Sequence, residues 1–543
     1  MNNYIVRLEE ISPIYEEHVN KMGDIQFVTE KVLRNKQIQN GDTYFVPTGL
    51  SEMSPLSYQG VELALKLYFN IVSKQYERCK VVLLGNEERA TFFELCRYAK
   101  FLHCPNVWYI DNSKEAVEGF LKEQHESQIN HDKAIRALQE IGIKQPASYK
   151  SHHSITNQWS VSRWSNCYGF ETVVDEQIRK SLYFNYLKCI YALPEEFQHK
   201  NLPVFTKGKI LVIDDELSKG WHSFFENLFQ KRAKNEVEYQ ELGLDFSKIK
   251  DRDEIVNVSV AKILDFKPDV VLLDLRLHDD DFGDQYEKFT SIQILEKLNS
   301  LEEYNRGTQI IGFTASNKVW NYLKWSKAGI DDFILKESPE NSKDQNFTQV
   351  SLANLESKIK RAFEKASFLK DIHSRICTLK KQIKINTEQE EFQRLSFRNL
   401  DMAFSQLKGY KDNSDNLDYS FMHLFYVIED LVNPDKNDWI ECNENFYSVD
   451  GNDFYDGEKS LLQYQKSGYY TRSSGRGVSQ TIRSLDLNLK IAAVLIFHCE
   501  LPDSNRWKWH EIRDARNKLV HSNEHVPETI VRDTVSFLSN IIR

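Results

Sequence analysis

Four short apolar runs between Lys209 and Glu337 each deliver a polar residue at the C-terminal end, and this repetition constrains the fold more than any other feature. They read Ile210-Leu-Val-Ile-Asp214-Asp215-Glu216, Val270-Val-Leu-Leu-Asp274, Ile310-Ile-Gly-Phe-Thr314-Ala315 and Phe333-Ile-Leu-Lys336. Continuous apolar runs of this length predict strands buried on both faces, the pattern of an open parallel sheet. In such a sheet the carboxyl edge is where ligand chemistry collects.

Three carboxylates meeting at that edge repel one another unless a hard cation lies between them. Mg²⁺, which takes a few protein oxygens and keeps several waters, suits the set. Thr314 adds a hydroxyl and Lys336 a mobile positive charge, the groups needed to hold the oxygens of a phosphoryl group on Asp274. The stretch resembles the receiver domain of two-component response regulators. The resemblance implies a doubly wound, flavodoxin-like α/β fold over residues 207–340. It makes Asp274 the phosphoacceptor, Asp214 and Asp215 the metal-binding pair, and Thr314, Phe333 and Lys336 the switch residues. Arg276 would lend its backbone carbonyl to the metal, and a histidine kinase or a small phosphodonor would be the partner. The 22-residue step from Thr314 to Lys336 fits the family. Three features depart from it: Glu337 replaces the usual proline after the lysine, the loop after Asp274 lacks the usual Pro and Gly, and both intervals flanking Asp274 are long. A folded receiver that is never phosphorylated is the plainer alternative. Asp279, Asp280, Asp281 and Asp284 in the following loop read as a solvated acidic run.

At 543 residues the chain predicts three or four domains. With 41% apolar residues it can build several cores, and a net charge of −10 gives no global attraction to nucleic acid, so any RNA contact must be local. Eight cysteines without a CxxC pair fit a reducing compartment. With no basic-then-apolar opening and no apolar run of about 18 residues or more, a cytoplasmic location without membrane spans is expected.

Residues 1–145 are expected to form a Rossmann-like α/β input module. Its first 40 residues read as a helical lead-in, followed by strands at Thr43, Lys80 and Val107 alternating with helices. Gly49 and Gly85 mark strand ends, yet there is no GxGxxG and no Walker lysine, so the edge could bind a ligand or serve as a scaffold. Residues 146–206 read as linker and helix, with His152, His153, Trp159 and Trp164 in a polar loop. Residues 341–391 form a connecting helix with a short coiled-coil pattern, which either relays a change in the receiver or packs on its own domain.

Residues 392–543 show no strand periodicity and predict an all-helical bundle, interrupted by a polar loop at 433–477. Arg472 and Arg476 in that loop are offered as RNA contacts, with an ordinary exposed loop as the alternative. In Glu511-Ile-Arg-Asp-Ala-Arg516-Asn517-Lys-Leu-Val-His521, helical spacing puts Asn517 and His521 on nearly one face, and Arg516 reaches the same groove. An imidazole, an orienting amide and a fixed cation suit RNA cleavage by the 2′-hydroxyl without a metal. The segment resembles the RNase motif of the HEPN superfamily. That resemblance implies a homodimer pairing two motifs, with Arg516, Asn517 and His521 catalytic on an RNA substrate. The expectation is therefore a phosphorylation-regulated switch whose receiver controls a HEPN-type endoribonuclease, of the kind found in stress or antiphage defence. Two other readings remain: a noncatalytic adaptor, or an N-terminal ligand sensor on a scaffold receiver.

Overall fold

The computed structural model describes residues 2–7, 25–29, 38–50, 57–123, 125, 128–144, 152–170, 181–191, 200–205, 207–231, 236–242, 246–249, 251–282, 289–315, 322–339, 342, 345–443, 446–455, 459–465, 469–477, 487–500 and 506–542. The chain is mixed α/β, with two parallel sheets followed by a largely helical C-terminal region. Among the described residues no helix is long and apolar enough to cross a membrane.

The N-terminal sheet comprises β1 (Asn3–Arg7), β2 (Ile25–Thr29), β3 (Thr43–Pro47), β4 (Lys80–Gly85) and β5 (Val107–Asp111). All pairs are parallel, in the order β2-β1-β3-β4-β5. The lead-in expected to be helical therefore supplies two strands. Their five-residue length is too short for periodicity to separate strand from helix. A dinucleotide-binding half runs 3-2-1-4-5, with its first and fourth strands adjacent; here β1 lies between β2 and β3, the other doubly wound order. Helix α1 (Gln59–Ser73), α2 (Arg89–Leu95), α3 (Lys114–Lys122) and α4 (His131–Glu140) connect and cover the sheet.

Helix α5 (His152–Tyr168) occupies the stretch expected to be a polar loop. Every residue from Ile155 to Ser165 is buried, including Asn157, Gln158 and Arg163. A helix enclosed on all sides needs no apolar stripe, so the amphipathic signal is missing. Trp159 belongs to the N-terminal core, while Val161, Trp164 and Cys167 belong to the core of the next sheet, so α5 joins the two. Helix α6 (Leu182–Ile190) returns to the N-terminal core.

The central sheet comprises β6 (Gly208–Ile213), β7 (Val237–Glu241), β8 (Val270–Leu273), β9 (Gln309–Thr314) and β10 (Asp332–Leu335), again all parallel. Its order, β10-β9-β8-β6-β7, repeats the N-terminal order strand for strand. The order in which successive strands are added reverses between β6 and β8, and this switch point is where such sheets open a crevice. Between the strands run α7 (Trp221–Glu226), α8 (Arg252–Phe266), α9 (Thr290–Ser300) and α10 (Tyr322–Ala328).

Helix α11 (Gln345–Asn386) is continuous over 42 residues. Its residues Leu352, Leu355, Ile359 and Ala362 enter the central core, and Leu369, Ile372, Ile376, Leu379 and Ile383 enter the C-terminal core. It is thus buried in both units, which explains its apolar repeat by packing within the chain. The C-terminal region adds α12 (Glu390–Leu407), α13 (Asp415–Leu431), α14 (Leu487–Ala493), α15 (Arg506–Ser522) and α16 (Glu528–Ile541). It is not all-helical. Residues 440–477 carry an antiparallel sheet of β11 (Ile440–Cys442), β12 (Tyr447–Val449), β13 (Asn452–Tyr455), β14 (Lys459–Gln465) and β15 (Tyr469–Gly477). Arg472 and Arg476 lie on β15, paired in register with Leu462 and Ser460, and not in a loop; their side chains fall outside the described residues.

Candidate functional site

The carboxyl edge of the central sheet gathers Asp214 after β6, Asp274 after β8, Thr314 at the end of β9 and Lys336 after β10. Apolar strands fix these positions: the interior of each strand is buried, and the polar residue falls at or just past its carboxyl end. The carboxylates of Asp214, Asp215 and Asp274 have oxygens within 4.8 Å of one another. Asp214, Asp274 and Lys336 are almost wholly buried. Lys336 Nζ donates to Asp214 Oδ2 and Asp274 Oδ2, both at 2.7 Å, and lies 4.6 Å from the Phe313 ring centre. Asp214 Oδ1 accepts from the backbone N–H of Glu216 at 2.8 Å, and Asp274 Oδ1 from that of Arg276 at 3.2 Å.

One ammonium cannot balance three carboxylates in a buried site. Burial, reinforced by the charges of Asp274 and Asp214, pushes the Asp215 carboxyl well above its ordinary range. Burial also raises Asp214, against the opposing pull of Lys336. Burial works to lower Lys336, but Asp214 and Asp274 overcome it and hold the ammonium above its ordinary range. Asp215 Oδ1 is buried without a hydrogen-bond partner among the described residues. Excess negative charge and an orphaned carboxylate oxygen are what a hard divalent cation would satisfy, so these residues fit one.

Thr314 is buried, and its carbonyl accepts from Lys336 N–H at 2.7 Å. Phe333 is also buried, 5.3 Å from the Trp325 ring. Its ring lies over Gly312, where a Cβ would come within 2.6 Å of it. The acidic loop is not uniformly solvated as expected. Asp281 is fully buried and accepts from Leu277 N–H, His278 N–H, Thr290 N–H and Thr290 Oγ1–H at 2.9–3.1 Å, with Arg252 at 3.5 Å. It pins the loop after β8 to the start of α9. Asp280 is exposed; the Asp279 side chain and Asp284 lie outside the described residues.

Sequence reading also missed what Glu337 does. Its carboxylate is fully buried against α5 and α11. Oε1 accepts from Arg163 Nε at 2.6 Å, Ser342 Oγ at 2.5 Å and Thr348 Oγ1 at 2.9 Å, and Oε2 from Trp164 Nε1 at 3.1 Å. At the other side of the crevice, Trp221 Nε1 donates to Asn157 Oδ1 at 3.0 Å and Gln158 donates to the Lys219 carbonyl. Helix α5 thus touches the loops that follow both β6 and β10. The signal available in the sequence was Glu337 itself, a charge directly after an expected buried lysine.

In the C-terminal region, Arg516, Asn517 and His521 sit on α15. Asn517 and His521 are exposed and Arg516 is half-buried. Arg516 Nη1 donates to Asn517 Oδ1 at 3.4 Å, and its guanidinium lies 5.8 Å from the Phe425 ring on α13. Arg516 Nε is buried without a hydrogen-bond partner among the described residues. Burial raises the nearby Glu429 carboxyl on α13, while Arg516 pulls it back. His521 meets no pairing group among the described residues, so Asn517 and His521 face solvent while Arg516 is held partly against α13.

At the N-terminal sheet, the Gly85 edge is filled. Tyr109 crosses it so closely that a Cβ on Gly85 would fall 1.8 Å from the phenol oxygen, which donates to the Glu87 carbonyl at 2.7 Å. The side chains of His152 and His153 lie outside the described residues. No family model matches this chain, and no curated protein matches it.

Proposed function

We propose that the chain is a phosphorylation-controlled switch in which a receiver-like central unit governs a HEPN-like ribonuclease at the C-terminal end. The observation that carries this reading is the buried meeting of Asp214, Asp215, Asp274 and Lys336 at the switch point of the central sheet. An Asp274 oxygen attacks the phosphorus of a small phosphodonor or a phosphohistidine, and the bond from phosphorus to the donor breaks, its electron pair leaving with the donor. Lys336 moves from the Asp274 carboxylate to a phosphoryl oxygen, and the Thr314 hydroxyl donates to another. Asp214, Asp215, Asp274 and the Arg276 carbonyl would hold Mg²⁺, which supplies positive charge against the phosphoryl oxygens. Phosphorylation replaces the single charge of the Asp274 carboxylate by the roughly two charges of a phosphoryl group, a net gain of about one, and draws Lys336, the residue before the buried Glu337, toward the phosphoryl oxygens.

At the output, His521 takes the proton from a ribose 2′-hydroxyl, the 2′-oxygen attacks phosphorus and the bond to the 5′-oxygen breaks, leaving a 2′,3′-cyclic phosphate and a 5′-hydroxyl that has taken its proton from water. Arg516 stabilises the charge that develops on the phosphate oxygens, and Asn517 orients its neighbours. A homodimer would set two motifs across one cleft and bring a second copy's groups to His521. Support comes from the exposure of Asn517 and His521 one turn apart on α15 and from the half-buried Arg516 beside them.

Labelling with acetyl phosphate and Mg²⁺ tests the first half: intact-mass addition of one phosphoryl group is expected for wild type and none for Asp274→Asn. Labelling that persists in the variant moves the acceptor elsewhere. The second half is tested by RNA cleavage with wild type and His521→Ala, with and without beryllofluoride. Loss of cleavage in a variant that keeps the wild-type oligomer is expected. RNA left intact by the wild type in both receiver states would instead identify a noncatalytic adaptor.

A further inference from the structure

Neither of these chemistries uses the cleft between the central unit and the C-terminal helices. It encloses about 700 Å³, within the size range of small-molecule sites. The loop from Leu301 to Arg306 forms one side and helices α11 and α12 the other. On α11 the lining residues His373, Cys377, Lys380, Lys381 and Lys384 recur at helical spacing, so they form one stripe. From His373 to Lys384 the stripe runs for roughly 16 Å at 1.5 Å per residue.

The two ends of that stripe differ chemically. At the inner end His373 is only 9% exposed, with its ring 4.8 Å from the Phe404 ring. Among the described residues its nitrogens meet a single group, Cys377 Sγ at 3.7 and 3.8 Å, and sulfur is a weak partner. Burial, then the charges of Arg306, Lys380 and Lys408 against that of Asp401, lowers the imidazole to about 4. At neutral pH it therefore offers one N–H and one bare nitrogen. At the outer end Lys381 and Lys384 are exposed, and neither has an ion-pair partner among the described residues. Lys380 is committed to Asp401 at 2.6 Å and spans the Phe397 ring at 5.5 Å. Glu302 and Glu303 also border the cleft, so it is no general anion trap.

An apolar ligand would leave the buried imidazole without a partner and the lysines unused. An inorganic anion would leave the aromatic half empty. We propose that the cleft binds a nucleotide, with its base against Phe404 and His373 and its phosphates at Lys381 and Lys384. Because the loop belongs to the central unit and α12 to the C-terminal region, a bound nucleotide ties the two together.

The probe is ATP, with full-length protein in EDTA so that the Asp214, Asp215 and Asp274 cluster carries no divalent ion. Binding is followed by calorimetry, and its location by iodoacetamide alkylation of Cys377, with exposed Cys442 as the internal reference. Saturable binding should slow Cys377 alkylation several-fold and leave Cys442 unchanged. Lys381→Glu/Lys384→Glu, two solvent-facing changes, should weaken ATP by about tenfold or more. Adenosine and tripolyphosphate should each protect less than ATP. Absence of saturable binding, equal protection in the double variant, or tripolyphosphate protecting as well as ATP would overturn the proposal. None of these readouts depends on Asp274 labelling or on RNA cleavage.

Discussion

Lys336 and His373 are both buried nitrogen bases, and their surroundings push them to opposite charge states. Two carboxylates 2.7 Å away keep Lys336 an ammonium, whereas burial and three cations keep His373 neutral. For His373 the unfolded chain binds the proton near 6.5 and the folded chain near 4. Between those values the unfolded state holds more protons, so stability falls as pH drops through the window. The loss amounts to about 2–3 kcal/mol at the acid end. His373→Leu should flatten that slope, measured by urea unfolding at intervals from pH 4 to 6.5; an unchanged slope would place the acid sensitivity elsewhere. At this scale the sequence was legible where a polar residue ended an apolar strand, as at Asp214, Asp274, Thr314 and Lys336. It was opaque at Asp281, because a run of aspartates looks solvated whether or not one of them turns inward to meet three backbone N–H groups and a hydroxyl.

Among the elements, α5 departs most from its sequence expectation. Buried polar groups on it meet partners on distant segments: Arg163 meets Glu337, Asn157 meets Trp221, and Trp159 Nε1 donates to Ser342 at 2.7 Å. Such long-range pairing leaves no trace in local periodicity. Removing one partner of a buried pair leaves an uncompensated charge, so Arg163→Met should cost about 3–5 kcal/mol in urea denaturation. Arg163→Met/Glu337→Gln should recover part of that loss, and a double variant no better than the single would show that the pair is not the source. The small sheet at 440–477 was missed for another reason. Its first three strands span only three or four residues in a stretch rich in Asn and Asp, where turn chemistry outweighs strand propensity. The long C-terminal helices, by contrast, stood out in their apolar spacing.

Across the whole molecule, two sheets of identical strand order lie in tandem, and the acid–lysine cluster is found on the second. Order of this kind follows from pairings far apart in sequence, which is why the alternation of apolar strands and helices suggested α/β units but not their shared arrangement. Helix α11 joins the central and C-terminal cores, with Ala366 fully buried between its two sets of core residues. Ala366→Pro would break the helix there at a cost of about 3 kcal/mol or more. Calorimetry should then show the two units melting separately, where the unbroken helix makes them melt together; a single shared transition in the variant would mean that other contacts couple them.

That shared helix also sets an angle. Each residue turns the chain by about 100°, so the direction in which α15 presents Arg516 and His521 is a fixed phase relative to the crevice at Asp274. Inserting one residue near Ala366 would swing the C-terminal region a quarter-turn or more out of step. Inserting seven would nearly restore the phase, about 20° short of two full turns. Coupling between the two sites should therefore rise and fall with insert length as a wave of helical period, and not decay steadily with distance.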